Sequence, residues 1–196
     1  MLTGRFVIIG YGSLLWDLEI LEPHVEHPWL LNGGPPLPME FSRVSPKRKM
    51  GLVVVMDPDN GIDCETHVIA SLLGDIHATA EDLRARERAK SIEHIGAVCM
   101  RTGFERSTYA HLATRVRQWC ARENAAGAVW TDLSQNFAAA TGQPFSLDNA
   151  LAYLKTLRGE HLAEAVRYID NAPEQTNTPL RRMLRSDPWW QALERS

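Results

Sequence analysis

Phe6-Val7-Ile8-Ile9-Gly10-Tyr11-Gly12-Ser13-Leu14-Leu15 passes within one short stretch from an unbroken apolar run to a glycine-punctuated turn. A run without polar alternation is the pattern of a strand buried on both faces. Two glycines just after it allow positive φ and close approach of the backbone. Successive amide N–H groups in such a turn converge on one concavity and can hold an anion, a carboxylate as well as a phosphate. The turn is no P-loop, because it lacks the Gly-Lys-Ser/Thr ending. Nor is it a dinucleotide fingerprint, because Leu15 stands where the third glycine would be. Read from these residues alone, it is an anion cradle or simply a tight turn.

Working outward, the first hundred residues read as β-rich. Residues 23–38 carry Pro23, Pro28, Pro35, Pro36, Pro38 and Gly33-Gly34, the signature of an irregular excursion with short extended pieces. Residues 39–44 alternate as a half-buried strand does. Residues 52–56 form another apolar run and stop at Asp57-Pro58-Asp59-Asn60-Gly61, which reads as a hairpin turn. Residues 67–76 give a further strand. Thr79-Ala80-Glu81-Asp82 fits a helix start with Thr79 as N-cap, and residues 97–100 are the last strand expected in this half. From Ser107 the pattern turns helical, with candidates at 107–125, 131–142, 146–157, 159–170 and 178–195; Asp132 and Ser146 are plausible caps. A β-rich half followed by a helical half predicts an α+β fold. The expectation is a small mixed β-barrel or curved sheet with flanking helices and a helical C-terminal half. All 196 residues would form one domain, a β-rich core over 1–103 with a helical extension over 104–196 packed on it.

Composition narrows the function classes. The chain is 44% hydrophobic and 23% charged, with a net charge of -3, and its pI is about 6.2. It is therefore globular, with no broad electrostatic drive toward nucleic acid or anionic membrane. Lys47-Arg48-Lys49 reads as a solvated loop. Cys64, Cys99 and Cys120 are odd in number and widely spaced, which favours buried thiols in a reducing compartment over a disulfide framework or a zinc site. His24-Val25-Glu26-His27 has H-x-x-H spacing but lies between Pro23 and Pro28, where a helix presenting both imidazoles is not expected, so no metal is assigned. No run reaches the roughly 18 apolar residues of a membrane span, and no leader pattern precedes the first strand. The cytoplasm is the expected compartment. Trp189-Trp190 with Leu193 marks an amphipathic end piece that docks on its own core or on a partner subunit, which leaves homo-oligomerisation open.

The strand followed by Tyr11-Gly12-Ser13-Leu14-Leu15-Trp16 resembles the opening of the γ-glutamyl cyclotransferase family. Phe41-Ser42-Arg43 is similar to an early strand of that family, and the strand from Val68 with its following helix continues the likeness, which spans residues 5 to about 100. Leu83-Arg84-Ala85-Arg86-Glu87 supplies the family's glutamate four residues after a leucine, and Arg86-Glu87 looks like the Arg-Glu pair of the glutathione-specific branch. Ala128-Val129-Trp130-Thr131-Asp132-Leu133 and Thr178-Pro179-Leu180-Arg181-Arg182 look like the tail of a bacterial cyclotransferase-like subgroup. The resemblance implies a cofactor-independent enzyme. Tyr11, Gly12, Ser13, Leu14 and Arg43 would bind a small γ-glutamyl substrate. Glu87 would act as general base and release 5-oxoproline and a free amine. The family's glycine and tyrosine shortly after the glutamate have no counterpart in Arg88-Ala89-Lys90-Ser91-Ile92. That departure keeps a second reading open: a non-catalytic module of the same kind that binds a carboxylate-bearing metabolite. On helix statistics Glu87 also reads as a surface glutamate making i,i+4 pairs. Glu81 and Glu93 are the fallback bases. Trp130 reads as core or as an aromatic wall, and Asn136 as a cap or a ligand contact.

Overall fold

In the computed structural model residues 2–193 are described. Among them the chain forms strands β1 (Phe6–Gly10), β2 (Val25–Leu30), β3 (Leu37–Ser45), β4 (Gly51–Met56), β5 (Ile62–Cys64), β6 (His67–Ser71), β7 (Ile95–Cys99), β8 (Glu105–Arg106) and β9 (Gly127–Thr131). The helices are α1 (Ile76–Glu87), α2 (Ala110–Glu123), α3 (Phe137–Thr141), α4 (Leu147–Thr156), α5 (Gly159–Asn171), α6 (Pro179–Ser186) and α7 (Pro188–Gln191). The fold is α+β, and none of the helices is long and apolar enough to cross a membrane. The chain divides into two compact units, one of residues 2–36 and Glu65–Leu133, the other of Leu37–Cys64 and residues 134–193.

The first unit is built on a six-stranded mixed sheet in the order β2-β6-β1-β9-β7-β8. Its ladder is open: among the described residues β2 and β8 are edges, and no barrel closes. β1 is buried at every position, as its unbroken apolar run requires. It pairs antiparallel with β6, Ile8 opposite Ile69, and parallel with β9, Ile8 opposite Val129. β9 is the main correction to the helical C-terminal half. Gly127-Ala128-Val129-Trp130-Thr131 is a buried central strand, and its pairing with β1 and β7 places it mid-sheet. Like β1 it is an unalternating apolar run behind a glycine. The short edge strand β8 also falls within the segment expected as a helical extension, just before its first helix candidate.

α1 starts four residues earlier than expected. Asp75, not Thr79, is its N-cap and accepts from the Ala78 N–H at 2.7 Å. The preceding strand accordingly ends at Ser71 rather than at residue 76. Leu83, Ala80 and Ile76 of α1 join Phe6, Ile8, Ile69, Ile95, Ala97 and Val129 in one core. The segment 23–38 is more regular than its prolines suggest: it contains β2, which as an edge strand tolerates Pro28.

In the second unit β3 lies between β4 and β5. The expected hairpin about residues 57–61 is therefore corrected, since β4 and β5 both pair with β3 and not with each other. Asp57 instead folds that turn by accepting from the N–H groups of Asp59 and Asn60. In Lys47-Arg48-Lys49 both lysines are exposed, as expected of a solvated loop, while Arg48 is drawn inward. Arg48 reaches Glu164 of α5 at 3.4 Å and lies 5.5 Å from the Tyr168 ring centroid, while Lys49 pairs with Glu160. Ser146 caps α4 as expected. Asp132 caps no helix, and the helix expected from residue 131 shrinks to α3. The 178–195 candidate breaks at Asp187-Pro188 into α6 and α7, with residues 194 and 195 outside the described residues. Trp190 is buried, and the Lys155 ammonium lies 5.4 Å from the centroid of the Trp189 ring. Cys64, Cys99 and Cys120 are free and buried.

Candidate functional site

Strand directions alone bring the Tyr11–Leu14 turn and Glu87 to one edge of the first unit. β6 and β7 each run antiparallel to their neighbours β1 and β9, which are parallel to each other. α1 connects the end of β6 to the start of β7, so it travels in the direction of β1 and β9. Its C-terminus, with Arg86 and Glu87, therefore lies at the carboxyl ends of those strands. The Tyr11–Leu14 turn leaves β1 at the same end. Carboxyl ends of parallel strands are where open α/β sheets place their ligands.

The turn itself is a short 3-10 helix, Gly12–Leu15, entered through an extended Tyr11. Gly12 has φ +56°, in the left-handed region that favours glycine. Gly10 is required for a different reason. A Cβ there would lie 2.3 Å from the Trp29 ring, which occupies that space. The Tyr11 hydroxyl donates to the Thr131 carbonyl, fastening the turn to the end of β9. Leu14 is buried in the core beneath α1. Gly12 and Ser13 stand in the first turn of this short helix, where N–H groups have no intrahelical acceptor.

Arg86 ties the glutamate to this turn. Its side chain is 1% exposed, and Nη1 donates to Glu87 Oε1 at 2.6 Å. Nη2 donates to the Asp17 carbonyl and, at 3.4 Å, reaches the Ser13 hydroxyl. Such a buried fork fixes two partners at once, which a lysine could not do. Glu87 is itself only 15% exposed, so it is not the solvent-facing glutamate that helix statistics favour. The fallback candidates are different. Glu81 is exposed and pairs with Arg84 one turn on, and Glu93 is exposed beside its Ser91 cap.

Arg43 belongs to the second unit. Its Nη1 donates to the Ser134 carbonyl at 2.6 Å, and burial lowers its pKa from the ordinary arginine value. Asn136, in the same unit, exchanges both hydrogen bonds with the Val44 backbone, accepting at 2.8 Å and donating at 3.1 Å. It stands at the N-cap position of α3, but its side chain extends the β3 ladder instead of bonding the helix N–H groups. Trp130 is fully buried against Gly96, and Asp132 accepts from its indole N–H and from the Thr108 N–H. His24 and His27 engage separate carboxylates, Asp82 at 3.0 Å and Glu22 at 2.9 Å.

Ser13, Arg86 and Glu87 are thus joined in one cluster around the buried Arg86 guanidinium, with Tyr11, Gly12 and Leu14 shaping the turn beside it. The sequence reading missed the Asp17 carbonyl and the end of β9. The signal for the latter was the apolar run at 128–130, a twin of β1. No family model, curated protein or solved structure matches this chain.

Proposed function

We propose that the chain is a γ-glutamyl cyclotransferase-like enzyme that converts a small γ-glutamyl amine or peptide to 5-oxoproline and the free amine. The observation that carries the reading is the link from the Glu87 carboxylate through Arg86 to Ser13 of the turn. The likeness of residues 5 to about 100 to that family supports it as well. Glu87 takes a proton from the substrate's α-ammonium, and the freed amine attacks the γ-carbonyl carbon. The tetrahedral oxyanion forms near backbone N–H groups of the turn. Collapse breaks the γ-amide C–N bond, the proton held on Glu87 passes to the departing amine, and the ring nitrogen gives its second proton to the freed Glu87 carboxylate, which releases it with the products. The attack is intramolecular, so holding the glutamyl chain folded supplies much of the rate. Arg86 is a positioning residue: it orients one oxygen of Glu87 and leaves Oε2 as the basic atom. Substrate and base need no metal or cofactor for this proton traffic.

The same Arg86 contact favours a second reading, a domain that binds a carboxylate-bearing metabolite without reacting it. A carboxylate held by a buried guanidinium is also a good structural ion pair. Glu87→Gln separates the two. The enzyme reading expects turnover to vanish while ligand-dependent thermal stabilisation survives. Retained turnover in that variant sinks the assignment of the base.

A further inference from the structure

Thr131 closes β9 at the edge where the turn and Glu87 lie. It is 7% exposed, and its hydroxyl is sealed from solvent with no hydrogen-bond partner among the described residues. Its carbonyl is already engaged by the Tyr11 hydroxyl. The register fixes which way the side chain stands. Directly opposed residues of an antiparallel pair share a face, and Thr131 opposes Ile95 while Val129 opposes Ala97. Ile95, Ala97 and Val129 all belong to the core beneath α1. Thr131 therefore stands on the α1 face of the sheet, at the carboxyl end of β9. Valine has the same shape and suits a buried strand at least as well. A buried hydroxyl left without a partner is destabilising, and native proteins keep few of them.

We infer that the Thr131 hydroxyl is a substrate-positioning group, hydrogen-bonding the α-amino and α-carboxylate end of the bound γ-glutamyl compound. The inference rests on the cyclotransferase reading above and adds to it a side-chain contact from β9. Removing one hydrogen bond to a charged ligand group weakens binding about tenfold or more.

The test uses Thr131→Val and Thr131→Ser, each in the otherwise native chain and with Glu87→Gln. Melting is measured without ligand. KM and kcat are measured with glutathione, γ-glutamylalanine and a γ-glutamylamine, and calorimetric Kd values for the same compounds with the Glu87→Gln forms. The expected result is that Thr131→Val melts no lower than wild type, raises KM and Kd about tenfold or more, changes kcat less, and is rescued by Thr131→Ser. A Thr131→Val protein that melts lower and binds with unchanged Kd overturns the inference while leaving the proposed reaction standing. Weakened binding by Thr131→Val in a protein whose wild type yields no 5-oxoproline supports the positioning role and removes the reaction. Binding of none of the three compounds overturns both.

Discussion

Replacing Arg86 by methionine tests the physical heart of the site without touching the base. Methionine keeps most of the apolar stem and volume, so packing changes little. What is lost is the 2.6 Å ion pair to Glu87 and the donors to the Asp17 carbonyl and the Ser13 hydroxyl. Breaking a buried pair by removing one partner costs about 3–5 kcal/mol, because the other is left uncompensated. Glu87 keeps 15% exposure, and water reaching its carboxylate moves the cost toward the lower end, about 3 kcal/mol. For a chain of this length that is a fall in Tm of about 6–12 °C. Urea titration should show it as a lower midpoint with unchanged slope. Glu87→Gln leaves Arg86 a neutral acceptor and costs less, about 1–2 kcal/mol. The double variant then closes a cycle with a coupling of about 1–3 kcal/mol. An Arg86→Met protein within about 1 kcal/mol of wild type, with coupling near zero, refutes the clamp.

Three other outcomes follow from buried features. Gly96→Ala puts a Cβ 2.0 Å from the fully buried Trp130 ring. Urea unfolding should register about 2–3 kcal/mol of destabilisation, and a change under 1 kcal/mol contradicts the packing described. Glu40 is fully buried on β3 and accepts from the Phe41 and Leu180 N–H groups, yet desolvation raises its pKa above the ordinary 4.5. The folded chain thus holds that proton to higher pH than the unfolded chain, so this stabilising contribution is full below about 4.5 and is lost as pH rises through the raised value. The stability of wild type relative to Glu40→Gln should therefore fall from pH 4.5 to 7, and a constant or rising relative stability refutes the direction. Burial raises the thiol of Cys64 to about 11 and that of Cys120 to about 12. Neither should react with a disulfide reagent in the native protein at about pH 8, and rapid labelling of either contradicts that burial.

The parts of the fold legible in the sequence are those whose local pattern and tertiary environment agree. β1 announced itself by an unbroken apolar run, and Ser146 by its position before an amphipathic helix. β9 carries the same kind of run but stands among helices, and periodicity alone does not separate a short buried strand from a helix segment. The turn at 57–61 was legible as a turn. That β3 inserts between its flanking strands was not, because register is a long-range property. At the candidate site, the Tyr11–Leu14 turn could be picked from residue type, and Glu87 only from the resemblance of Leu83-Arg84-Ala85-Arg86-Glu87 to the family pattern. Arg86 joining them could not, since a neighbouring Arg-Glu pair on a helix ordinarily points to solvent. The unpartnered hydroxyl of Thr131 depends on the same strand, β9, that the pattern concealed.

The most direct measurement is a 5-oxoproline assay of the purified protein against glutathione, γ-glutamyl dipeptides and γ-glutamylamines, with Glu87→Gln alongside. The proposed function predicts product from wild type on at least one of these classes and none from the variant, both proteins being equally folded. Product from both, or from neither on every class, contradicts it.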